Sequence, residues 1–325
     1  MGGKIMRNLF TFAVILLLVG MVQSAVAQDS CRFVAFVVRG DVQYVRHGQA
    51  VQQMKPLQFI LPNSEIVIGE NGYLKVGEKG GTFIELRNKG RVTYEELKSI
   101  FEQKPVAPRR TLRTLLEYIW QRLITGVSLI SEKGKEALVP GAIREAGAEP
   151  IGTILLTPRN GAVVGDTITL LWYDGQYNGA RTLVLRDKDF DTVFRTEVKG
   201  SSFTKSVRDL RLEPGEIYFW SVTQNEGGFR DVAFKLADRK LTQEVNWAIG
   251  EIERLTGSQG AAGYIAKALM YEKYLCFGNA YFEYASAARD DPNGIADALF
   301  ASFLTDKLGL APLEAVAVIA SVHKN

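Results

Sequence analysis

The stretch Leu212-Glu213-Pro214-Gly215-Glu216-Ile217-Tyr218-Phe219-Trp220 constrains this chain more than any other. The spacing Leu-x-Pro-x-x-x-Tyr reads as a corner between two strands of a small β-sandwich. In such a corner the Tyr218 ring is buried and its hydroxyl bonds back to the chain just upstream. The strands Thr167–Trp172, Leu183–Leu185, Val193–Arg195 and Phe203–Val207 precede it, and Phe219–Val222 follows. About seven short strands over about 80 residues, with Trp172 placed to fill the interior, predict a sandwich over residues 151–236.

The N-terminus carries a targeting pattern. Lys4 and Arg7 make a short basic region, Leu9 to Val22 is almost unbroken apolar, and Ala25-Val26-Ala27 supplies a small-x-small site. This predicts a signal peptide over residues 1–27, cleaved before Gln28. The apolar run is shorter than the roughly 20 residues a spanning helix needs, so no stable membrane span is expected after cleavage. Losing Lys4 and Arg7 takes the formal charge from +3 to +1, too small a surplus to indicate nucleic acid. The expected location is the periplasm or cell envelope. Of the two cysteines, Cys31 and Cys276, the second falls in an apolar helical stretch and reads as a buried thiol. A disulfide between them is possible in an exported chain, but no spacing supports it.

Residues 33–104 alternate with period two: Ile66, Ile68, Leu74, Val76, Ile84, Leu86, Val92 and Tyr94 fall on one face of successive short strands. Gly72, Gly81 and Gly90 recur every nine residues between them. The pattern fits a meander, and also a small roll or the start of a β-solenoid. Gly40-Asp41-Val42, Leu57–Leu61, Ser64–Gly69 and Gly72–Val76 resemble the FecR-type β-domain of bacterial envelope proteins. Lys79-Gly80-Gly81 stands where that family usually has an Asp-Gly turn. The resemblance implies an all-β FecR-like roll that contacts partner proteins or envelope polymers.

Residues 109–150 read as an amphipathic helix and linker. Leu112, Leu115, Leu116, Ile119, Trp120, Leu123, Ile124 and Val127 line one face, with Arg113, Glu117, Gln121 and Arg122 on the other. The apolar stripe suits packing against a neighbouring domain, and a membrane surface is the other reading.

Trp172 with Leu212, Pro214 and Tyr218 resembles the core of fibronectin type III and related immunoglobulin-like domains. From Leu241 the chain becomes Ala-rich with a helical period, predicting a helical region over 241–325. Between Ala261 and Pro292 one unit resembles the tetratricopeptide repeat, through Tyr264, Ala268 and Tyr271, then Phe277, Ala280, Tyr284, Ala287 and Pro292. Lys267 departs from it, where Leu is usual. The resemblance implies a helical hairpin closed by helices on either side, because a single repeat does not bury a continuous core. On the repeat pattern Ala268, Ala280 and Ala287 form the packing seam. Glu272, Lys273, Asn279 and Glu283 point away from it as possible partner-binding residues.

The expected fold is therefore multidomain: an all-β roll, a β-sandwich, and an α-helical hairpin region. The sequence has two histidines, His47 and His323, and no metalloprotease, nucleophile-elbow, thiol-redox or phosphate-loop motif. Asp187-Lys188-Asp189-Phe190-Asp191 opens like a calcium loop but has Thr192 and Val198 where Gly and Glu belong. No catalytic residue, metal or cofactor is expected. The function read from the sequence is a non-catalytic binding or scaffold protein of the envelope, with envelope proteins or polymers as partners. A signalling component, or a hydrolase with a carboxylate site, are the alternatives.

Overall fold

The computed structural model describes residues 32–79, 82–87, 90–103, 113, 117–122, 153–174, 179–223, 231–257, 260–291 and 294–324. The expected signal peptide, Cys31, Gly81, Pro292 and most of the 109–150 stretch lie outside these residues. The chain divides into two compact units that part between Glu117 and Tyr118. A β-rich region built mainly of antiparallel sheet is followed by a C-terminal region of several helices.

The first unit contains β1 (Phe33–Arg39), β2 (Val42–Arg46), β3 (Gln52–Gln53), β4 (Gln58–Ile60), β5 (Ser64–Ile68), β6 (Tyr73–Glu78), β7 (Phe83–Leu86), β8 (Gly90–Thr93) and the helix α1 (Tyr94–Gln103). Its two sheets run β4-β1-β6-β7 and β3-β2-β5-β8. They share one core, including Phe33, Val42, Tyr44, Ile66, Ile68, Leu74 and Val76, to which α1 adds Leu97 and Phe101. The alternating positions are buried as expected, because period two reports which face a residue occupies. It does not report partners, and the topology is not a meander: β5 and β6, consecutive in sequence, lie in different sheets.

Gly40-Asp41, Gly69 and Gly72 meet in one knot at the crossing between the sheets. Gly40 takes φ +66 with the Asn71 carbonyl against its Cα, leaving no room for a side chain. The Gly69 N–H donates to the Asp41 carbonyl at 2.8 Å, next to the Val42–Ile68 pair of β2 and β5. Tyr94, expected to end a strand, instead begins α1. The reason is a reciprocal cap: Glu96 N–H donates to Thr93 Oγ1 at 3.2 Å, and Thr93 N–H donates to Glu96 Oε2 at 2.8 Å.

The second unit opens with helical residues 118–122. Among the described residues, these strands follow: β9 (Ile154–Thr157), β10 (Ala162–Val163), β11 (Thr167–Tyr173), β12 (Arg181–Arg186), β13 (Thr192–Val198), β14 (Ser202–Ser206), β15 (Ile217–Thr223) and β16 (Val232–Leu236). They form sheets β10-β16-β15-β12-β13 and β14-β11-β9, antiparallel except for the β10–β16 pair. Both sheets feed one core around Trp172, Trp220, Leu183, Leu185, Tyr218 and Phe234. The Tyr218 hydroxyl accepts the Glu213 backbone N–H at 2.7 Å, the bond the corner spacing calls for.

Among the described residues, the helices α2 (Arg239–Thr256), α3 (Ala261–Lys273), α4 (Phe277–Asp290), α5 (Ile295–Asp306) and α6 (Pro312–Val322) complete the unit. Asp238 caps α2 by accepting the Leu241 N–H at 2.8 Å. Ala268, Ala280 and Ala287 are fully buried, and α3 and α4 form the most extensive helix pair. Among the described residues no helix is long and apolar enough to cross a membrane.

Candidate functional site

The site residues expected from sequence do not form an open surface. Glu272, near the end of α3, is 1% exposed and sits at the centre of a polar cluster. Tyr284 of α4 donates its hydroxyl to Glu272 Oε2 at 2.8 Å. Tyr118 donates to Oε1 at 3.1 Å. The Arg122 guanidinium lies 3.1 Å from Oε1, and Lys307, at the end of α5, approaches to 3.8 Å. Buried carboxylates persist when paired and hydrogen-bonded, and this one meets both conditions. Burial works against the charge on Arg122, but the Glu272 carboxylate beside it more than compensates and its pKa is raised. Burial, and then the charge of Glu272, push the Tyr118 and Tyr284 hydroxyls well above the ordinary tyrosine range. Both therefore remain hydrogen-bond donors at neutral pH.

Asn279 also corrects the expectation of an outward face. Its side-chain amide clamps Val164, accepting the backbone N–H at 2.9 Å and donating to the carbonyl at 2.8 Å. Around it the first turn of α4 meets the strands. Ala162 N–H donates to the Leu275 carbonyl at 2.7 Å. Gly161 lies so close to that carbonyl and the Phe277 ring that a Cβ would collide with them. Ala162, Val164 and Ala237 share an apolar cluster with Val245 of α2 and Cys276, and Leu241, Ile249, Tyr271 and Tyr274 pack against it. Burial pushes the Cys276 thiol up to about 12.

Glu283 is half-buried and pairs with Lys267 at 3.0 Å. Lys267 is only 8% exposed and also lies over the Tyr264 ring, 4.9 Å from its centroid. Burial raises the Glu283 pKa, while Lys267 pulls it back. The lysine that departs from the repeat pattern is thus matched by a carboxylate on the next helix. Lys273 is half-buried at the end of α3. For Glu272 and Asn279 the outward assignment does not hold, because their partners lie on α4, on residues 118–122 and beside β10. Here residues 118–122, β10 and the end of α5 approach other faces of the hairpin. Sequence reasoning did not mark Tyr118, and it placed Arg122 on the polar face of the helix without a partner. The signal available was a Tyr and an Arg four residues apart, which share a helix face.

The first unit has a shallow cleft of about 460 Å³ lined in part by His47, Asn63, Glu65, Tyr94 and Glu95. Glu65 there is paired with Arg91 at 3.3 Å. His323 contacts Asp297 at 3.0 Å. In the Asp187–Asp191 turn, the Asp187 carboxylate accepts the N–H groups of Asp189 and Asp191, both at 3.0 Å, which makes it part of the turn itself. Among the described residues no group of three or more His, Cys, Asp or Glu side chains is placed to hold a metal ion. No family model matches the chain, and no curated protein matches it.

Proposed function

We propose that this protein is an exported, non-catalytic scaffold of the cell envelope. Its first unit is read as a FecR-like roll. Its second is read as a fibronectin type III or immunoglobulin-like sandwich fused to a tetratricopeptide-like hairpin. The observation that carries the reading is the seam between the second unit's strands and helices. The two-way Asn279–Val164 clamp, the Ala162–Leu275 bond and the shared apolar cluster join them into one body. A body of this kind suits the presentation of surfaces in fixed geometry. The ionic groups of its interior favour the same reading. Glu272, Lys267 with Glu283, and Arg181 with Asp174 at 2.6 Å are committed to internal partners. The basic region, apolar run and Ala25-Val26-Ala27 site support export.

Exposed aromatic side chains on the helical region offer contact points, Trp247 at 38% and Phe282 at 40%. Aromatic anchors dominate protein interfaces. Affinity capture from the envelope fraction with the mature chain tests the proposal. A partner should be retained by the wild-type chain and lost from Trp247→Glu or Phe282→Glu at unchanged melting temperature. Equal capture by both variants counts against the helical region as the contact. The absence of any saturable partner overturns the scaffold reading.

A further inference from the structure

The larger sheet of the sandwich, β10-β16-β15-β12-β13, ends on two unlike strands. At the β10 end, Asn279 of α4 clamps Val164, and Ala162 is bonded to Leu275 just before that helix. At the other end β13 pairs, among the described residues, with β12 alone. β13 is seven residues long and holds neither Lys nor Pro. Its register with β12 shifts only next to the hairpin turn and is regular from Phe194 to Val198. Proteins that keep a strand edge unpaired shorten it, bulge it, or place Lys or Pro on it. β14, at the edge of the smaller sheet, carries Lys205.

The charges of β13, Arg195 and Glu197, are exposed, opposite in sign and two residues apart, hence on one face. That spacing makes the strand complementary to itself. In a symmetric antiparallel pair one residue lies opposite its own copy. Centring the pair on Arg195 or Glu197 opposes like charges, and centring it on Phe194 opposes Glu197 to Asp191. Centring it on Val198 runs the strand into Gly200, at φ +89. Centring it on Thr196 sets Arg195 opposite Glu197 on both sides of the axis, and Phe194 opposite Val198 outside them. Opposite charges and Thr–Thr neighbours stabilise a directly opposed pair, and like charges destabilise it. Phe194 is only half-buried in the single chain and gains cover from Val198 of the second copy.

We propose that β13 is a self-association edge. It pairs antiparallel with β13 of a second copy of this chain, centred on Thr196, and joins the two five-stranded sheets into one. The proposal stands apart from the scaffold reading, because it rests on the sandwich alone.

Sedimentation equilibrium of the chain from Gln28 onward should show a reversible monomer–dimer equilibrium. Arg195→Glu places like charges opposite each other on both sides of the axis. It should raise the dimer dissociation constant at least about tenfold. Arg195→Glu/Glu197→Arg restores the match in reverse and should return the constant to near the wild-type value. Circular dichroism checks that both variants keep the fold. In a Cys31→Ser background, Thr196→Cys should form an interchain disulfide under mild oxidation, because directly opposed residues hold their Cα atoms about 5 Å apart. Thr192→Cys lies opposite Gly200 in this register and should not. A chain that is monomeric at every concentration overturns the proposal. So does a dimer that Arg195→Glu leaves unchanged, a double reversal as weak as the single one, or equal cross-linking at both positions. The capture assay on Trp247 and Phe282 is read separately, so either result can fail without the other.

Discussion

Replacing Glu272 should destabilise the second unit strongly. In Glu272→Ala the Arg122 guanidinium, whose side chain is 17% exposed, loses its paired carboxylate, and the buried Tyr284 hydroxyl loses its acceptor. Breaking a buried ion pair by removing one member costs about 3–5 kcal/mol. Arg122 keeps some access to water, and Lys307 is more exposed still, which places the expected loss near the lower figure, about 3 kcal/mol. Glu272→Gln retains one acceptor oxygen but not the charge, and should cost roughly 2 kcal/mol. In Glu272→Leu/Arg122→Leu both charges are gone. Its loss should fall below the sum of the single changes by at least about 1 kcal/mol, because an apolar pair replaces a buried ionic one with little penalty. All four tryptophans, Trp120, Trp172, Trp220 and Trp247, belong to the second unit. Tryptophan fluorescence in a urea titration of the chain from Gln28 onward therefore reports that unit. A Glu272→Ala midpoint equal to wild type, or a cycle with no coupling, would refute the reasoning.

Tyr218→Phe removes the acceptor of the Glu213 N–H and should lower stability by about 1 kcal/mol in the same titration; an unchanged midpoint would mean that the corner bond contributes nothing. Cys276, in a Cys31→Ser background, should resist a thiol reagent at pH 8 until the chain unfolds, because burial raises its pKa from 9.0 to about 12. A thiol raised in this way contributes stability that is present below pH 9 and lost as pH rises from 9 to about 12. Cys276→Ala should therefore flatten the melting temperature over that window, and rapid labelling of the native chain would contradict the burial.

The sequence disclosed elements better than their partners. Alternation at Ile66, Ile68, Leu74 and Val76 located β5 and β6, but face periodicity is blind to which strand lies alongside. Tyr94 continued that alternation and hid α1, although Thr93 and Glu96 carried the spacing of a helix cap. The C-terminal helices were legible because their apolar period is long and Gly or Pro stands near their ends. The candidate site was misread where tertiary neighbours decide orientation. Glu272 turns to Tyr284 on the next helix and to residues 118–122, and Asn279 turns to Val164, contacts that no repeat pattern specifies. Lys267 was visible as a misfit; its match to Glu283 depends on the α3–α4 register, which pattern alone does not supply.

The claim beneath the scaffold reading is that strands and helices of the second unit form one cooperative body. Native-state hydrogen exchange on the chain from Gln28 onward measures it directly, through the slowest amides of β15 around Trp220 and of α3 around Ala268. The account predicts one shared opening free energy for both, falling together in Asn279→Ala, which removes the clamp on Val164. Strands that keep their full protection while α3 and α4 lose theirs would contradict it.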